Sequence, residues 1–176
     1  LSGVNPYLFA PAAGELSEIR TAWHGLLNNP SVPTIYPPFA QLAFVVAAIA
    51  GSSLTGLKIV WLACDLLVAV VVTRIAAETG RKPEQALLLY LWAPLLVIEI
   101  AWSGHLETLG LLPMALAMLF ATRATKALPG PASLWAALAG TTLALSALTK
   151  FAPIAALPAL TRRFGWRPVI AFAATV

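Results

Sequence analysis

Two long apolar runs, residues 56–77 and 84–102, are parted by one tight basic turn, Gly80-Arg81-Lys82-Pro83, and no other feature limits the fold of this chain as much. Crossing the hydrocarbon core of a bilayer takes about 20 consecutive apolar residues in a helix. Inside that core every backbone N–H and C=O must be satisfied within the segment, so such runs are helical. A turn this short makes the two helices antiparallel, and its cations mark it as cytoplasmic by the positive-inside rule.

Composition agrees. The chain is 60% hydrophobic and 10% charged, far from the roughly 45–50% apolar and about 25% charged of soluble domains. Its net charge of +4 comes from short basic clusters between apolar runs, which are topology signals and exclude nucleic acid as a partner. Cys64 is the single cysteine and lies in an apolar run, so no disulfide framework forms within the chain. The expected fold class is all-α, a polytopic transmembrane helix bundle with an extracytoplasmic loop bearing short interfacial helices.

The expected layout follows from the breaks. Pro6, Pro11, Pro30 and Pro33 keep the first stretch from forming one long helix. Residues 1–55 are therefore read as the extracytoplasmic loop, with short helices around Glu15 to Leu27 and an interfacial helix at about 37–51. Transmembrane spans are expected at about 56–78, 84–102 and 107–123, the last ending in Arg123 and Lys126. A hairpin at 132–161, kinked around Pro153 and Pro158, would carry Lys150 at its apex, and another span starts at 168. That last run ends short of a crossing and no signal peptide opens the chain, so the expectation is an internal piece of a longer protein.

Ionisable residues at membrane depth cost roughly 2.5–3.5 kcal/mol at a helix centre, so each asks for a reason. Asp65 in mid-span is read as a helix-packing hydrogen bond. Glu99, His105 and Glu107 crowd one extracytoplasmic turn, Trp102-Ser103-Gly104-His105-Leu106-Glu107. A His and a carboxylate two residues apart are competent as an acid/base pair or as ligands of a divalent metal ion. They are equally the polar content of a wet turn, with Glu107 at the positive end of the next helix. Lys150 has no carboxylate beside it in sequence; it either snorkels to the surface or meets an anionic lipid phosphate. The chain lacks a Walker loop, G-x-G-x-x-G, G-x-S-x-G and C-x-x-C, so nucleotide-dependent chemistry and serine or thiol hydrolysis have no foothold.

Four blocks, "GVNPYLFAP", "PTIYPPFAQLAF", "WAPLLVIEIAWSGHLETLGLLPMALA" and "ALSALTKFAPIAALP", resemble in order and spacing the polyprenol-phosphate-sugar-dependent glycosyltransferases of the GT-C superfamily, in particular bacterial integral-membrane mannosyltransferase-like proteins. The resemblance implies transfer of a hexose, with mannose the guess, from a polyprenyl-phosphate donor to a glycan or lipid acceptor hydroxyl. The work would be done on the extracytoplasmic side of the bacterial cytoplasmic membrane. It places Glu107, with His105, at the second acidic position of such enzymes, with a divalent metal left open there, and Lys150 near the lipid phosphate. Asn5, Tyr7, Tyr36 and Glu99 are the further substrate-binding positions. The first-loop carboxylate that serves relatives as general base stands upstream of the "NPY" block and would precede Leu1. The competing reading is a secondary transporter or lipid flippase, whose broken helices also carry mid-membrane polar residues, although no internal repeat is found here.

Overall fold

The computed structural model describes residues 3–49 and 53–176, and the chain divides into two units, Leu1–Tyr36 and Pro37–Val176. In the first, the prolines leave room only for two short 3-10 helices, Gly14–Ile19 and Ala22–Leu26. Side chains close what regular structure cannot. Arg20 donates through one guanidinium nitrogen to the carbonyls of Ala12 (2.7 Å) and Ala13 (2.9 Å). The backbone of Ala12 donates to Pro30 (2.7 Å), and Tyr7 Oη donates to the carbonyl of Tyr36 (2.7 Å).

The second unit is helical throughout, with no strand among the described residues. It runs α1 (Pro38–Ile49), α2 (Leu54–Glu78), α3 (Pro83–Leu91), α4 (Pro94–Leu96), α5 (Glu107–Lys126), α6 (Pro129–Ala147), α7 (Leu157–Phe164) and α8 (Arg167–Thr175). The ends follow local chemistry. Ser53 caps α2, its Oγ accepting from the N–H of Gly56 at 3.0 Å. The other end of α2 closes on Gly80 at φ +72°, with Arg81 N donating to Ala76 O (2.8 Å) and Gly80 N to Ala77 O (3.2 Å). That is the paired bonding of a Schellman close, which needs a left-handed residue. Pro83 then opens α3, where its missing N–H costs nothing.

α2 and α5 are long and apolar enough to cross a membrane, and the α3/α4 pair makes a third crossing if it is one span. That pair is bent by 48°. The cause is Pro94, which offers no N–H and crowds the carbonyl of Tyr90 one turn earlier. After the bend, α4 runs straight into a π-helical turn, Val97–Trp102. α1 has 12 residues, about 18 Å of helix against the roughly 30 Å of hydrocarbon a crossing requires.

Packing is by small residues and a few polar ties. Val68 and Val71 of α2 meet Ala115 and Leu119 of α5 in the core. Ala136, Ala139, Gly140, Ala144 and Ala147 are buried along α6, where small side chains let α5 and α8 come close. Thr108 Oγ1 donates to Trp61 O (3.1 Å) and Ser146 Oγ to Gly110 O (2.7 Å), which joins α5 to α2 and to α6. Asp65, buried in mid-helix, accepts from Tyr90 Oη at 2.6 Å and so ties α2 to α3, a packing bond of the kind expected for it.

The bundle has two chemically different ends. At one, Arg123 grips the carboxylate of Glu78 with Nη2 (2.7 Å) and Nε (3.0 Å) while its guanidinium lies 5.2 Å from the centre of the Trp135 ring. At the other, the first N–H groups of α1, at Phe39 and Ala40, donate to Leu148 O at the close of α6 (3.1 and 3.4 Å). The starts of α2 and α5 lie at this second end as well.

Candidate active site at the Lys150 end of the bundle

The π-helical turn sets up the first half of the site. One extra residue per turn shifts the register of Glu99 relative to an α-helix, and such turns are recurrent at functional sites. The turn closes at Gly104, φ +72°, a conformation that side chains with a Cβ rarely adopt. Past that glycine, the backbone N–H of His105 donates to Glu99 O (2.8 Å), and the His105 ring nitrogen Nδ1 bonds the Glu99 carboxylate. An ionised carboxylate only accepts, so Nδ1 carries a proton and Nε2 is the atom left to exchange protons with a ligand. The His105 side chain is 58% exposed and that of Glu99 33%, which leaves Nε2 reachable.

The second half is an ion pair. Glu107 is the first residue of α5, where a carboxylate sits favourably at the positive helix end. Its Oε1 bonds Nζ of Lys150, which stands just beyond α6 where the backbone turns: Thr149 N and Lys150 N both donate to Ser146 O. Each side chain of the pair is 46% exposed. Lys150, isolated in sequence, thus has an acidic partner from the neighbouring helix.

One residue that sequence reasoning missed completes the geometry. Lys58, in the first turns of α2, donates from Nζ to Trp102 O at 2.7 Å, and its side chain lies over Gly104, whose Cβ, if added, would stand 3.3 Å from Lys58 Cε. Lys58 therefore braces the turn that carries His105. The available signal was a single lysine at the mouth of an otherwise apolar span.

Asn5, Tyr7 and Tyr36 all belong to the amino-terminal unit. Asn5 Oδ1 accepts from Tyr7 N (2.9 Å), and the Tyr7 hydroxyl is used on Tyr36 O. For a metal the donor set is poor. No three His, Cys, Asp or Glu side chains converge among the described residues, and His105 and Glu107 turn to different partners. Among the described residues, His105 and Glu107 form no convergent set of metal ligands.

The second unit thus presents, at one end, an oriented imidazole with a carboxylate behind it and a carboxylate–ammonium pair two residues away. Over residues 1–165 the chain matches the family described as alpha-(1->6)-mannopyranosyltransferase, N-terminal domain. It belongs to that family. No curated protein and no solved structure matches it significantly. As a mannosyltransferase-family domain it is a glycosyltransferase by class and an integral membrane protein by its apolar helices. The groups that this mannosyltransferase domain gathers at that end are the Glu99–His105 dyad and the Glu107–Lys150 ion pair.

Proposed function

We propose that the protein transfers a hexose, mannose by its family, from a polyprenyl-phosphate donor to an acceptor hydroxyl on the extracytoplasmic side of a bacterial cytoplasmic membrane. The observation that carries this reading is the gathering of Glu99–His105 and Glu107–Lys150 at one end of the bundle. In the transfer, the acceptor O–H gives its proton to a base as its oxygen bonds the anomeric carbon. The bond from that carbon to the phosphate oxygen breaks, and its electron pair leaves with polyprenyl phosphate.

Lys150 is positioned to receive the phosphate. The arriving donor's phosphodiester, a monoanion, competes with Glu107 for the ammonium, and the freed carboxylate then turns to a sugar or acceptor hydroxyl. The ammonium also meets the second negative charge that develops as polyprenyl phosphate leaves. His105, with Nδ1 committed to Glu99, offers Nε2 to orient the acceptor hydroxyl, whose proton goes to the first-loop carboxylate expected upstream. The reading is tested with the full-length protein in proteoliposomes, offered polyprenyl-phosphate-mannose or a nucleotide-linked mannose. Product from the first donor alone supports it, and transfer only from the nucleotide sugar rules it out. The sidedness is tested by cysteine labelling at Gly104→Cys and Arg81→Cys, which must react from opposite faces.

A further inference from the structure

The opposite end of the bundle holds a feature that sugar transfer does not use. Between the closing turns of α2, α5 and α7 lies an open groove of about 900 Å³. Ala121, Ala159, Leu160 and Phe164 give it an apolar side, Thr122 and Thr125 add hydroxyls, and two cations, Lys126 and Arg163, stand at its lining. Both are exposed, and neither makes a direct ion pair among the described residues, although Lys126 acts on the nearby Glu78 carboxylate through space. Glu78 also lines the groove, but its carboxylate is held by both Nε and Nη2 of Arg123. Arg163 stands 5.9 Å from the centre of the Phe164 ring, which leaves its N–H fork to a ligand.

Two exposed cations without a direct ion pair, beside a partly apolar trough on a membrane-spanning bundle, match a phosphodiester headgroup with acyl chains below it. We infer that this groove binds an anionic phospholipid, its phosphate between Lys126 and Arg163 and its upper chains against Ala121, Ala159 and Leu160. A soluble phosphate would satisfy the cations and leave the trough unfilled. A zwitterionic lipid brings its own cation, which Lys126 and Arg163 repel. Basic pockets between transmembrane helices are a recognised place for such headgroups.

The test uses the full-length protein in nanodiscs of phosphatidylcholine with a small fraction of phosphatidylglycerol, re-isolated and analysed for retained lipid by native mass spectrometry. The wild type is expected to retain phosphatidylglycerol over phosphatidylcholine. Lys126→Ala with Arg163→Ala should lower that preference on the order of thirtyfold, from two juxtamembrane cations. The charge-preserving pair Lys126→Arg with Arg163→Lys should keep most of it, which separates lost binding from lost folding. Equal retention by the double alanine variant overturns the proposal. So does an equal loss in Arg81→Ala with Lys82→Ala, which reports general attraction outside the groove, or displacement of the lipid by millimolar inorganic phosphate, which reports a site for the free ion.

Discussion

Lys150 and Glu107 stand 43 positions apart in sequence and are ion-paired where the close of α6 meets the start of α5. Each side chain is nearly half exposed, and an ion pair so placed contributes at most about 1 kcal/mol to stability. Its value is positional: it stores an ammonium and a carboxylate side by side at a helix end.

If the pair opens to receive a phosphate, its two halves have separate tasks. Lys150→Ala is expected to raise KM for the polyprenyl-phosphate donor and lower kcat, together about a hundredfold or more in kcat/KM, as for loss of a group that meets developing negative charge. Glu107→Gln should lower kcat and leave donor affinity the same or tighter, because Lys150 no longer has a competing carboxylate. Steady-state kinetics with the donor varied separates the two. Thermal unfolding in detergent should change little in either variant.

The Glu99–His105 bond makes a second, independent claim on the chemistry. Glu99→Gln keeps the shape but replaces the acceptor behind Nδ1 with an amide that can also donate, which frees the imidazole to take the wrong tautomer. The expected loss in kcat is on the order of 10²-fold, the cost of misplacing a group that orients the acceptor. His105→Ala should match it, and the double variant should lose little more than either single one, because residues that act as one unit are not additive. Additive losses would falsify the dyad.

Lys58 acts through the turn it braces, so its signature differs from that of a residue touching substrate. Lys58→Met removes the bond to Trp102 O and should lower kcat several-fold with donor KM unchanged. The effect should vanish in a His105→Ala background, where a well-placed turn has nothing left to place. Gly104→Ala should do the same by a different route. It puts a Cβ at φ +72°, a strain of roughly 1–2 kcal/mol, against the Lys58 side chain. Persistence of the Lys58→Met effect without His105 would assign Lys58 to substrate instead.

The all-helical membrane class was legible because apolar runs and basic turns act over short distances: the stretch around Gly80-Arg81-Lys82-Pro83 contains both a helix close and the next helix start. Glu99, His105, Glu107 and Lys150 could be singled out as candidates too, since an ionisable group beside hydrocarbon stands out by its cost, although Lys58 could not. Partners were not. Asp65 needs Tyr90 and Lys150 needs Glu107, and both pairings depend on which helix lies beside which, a matter of packing rather than of sequence pattern. The π-helical turn at Val97–Trp102 was equally hidden, and so was the 48° bend at Pro94 in the run read as one span over 84–102.

Packing of α8 on α6 gives a last test, one aimed at the fold itself. At Gly140 an added Cβ would fall 2.1 Å from the carbonyl oxygen of Pro168 and 2.7 Å from its Cα. Both are backbone atoms, so no side-chain rotation relieves the clash. Gly140→Ala is therefore expected to push α8 away, at a cost above the roughly 1–3 kcal/mol of ordinary overpacking. Ala substitution at Gly130, where nothing lies within 4 Å, makes the control and should be neutral or slightly stabilising in the helix. The measurement is thermal unfolding of both variants in the same detergent. A Gly140→Ala protein as stable as the Gly130→Ala protein would mean that α8 does not rest on α6 at this contact.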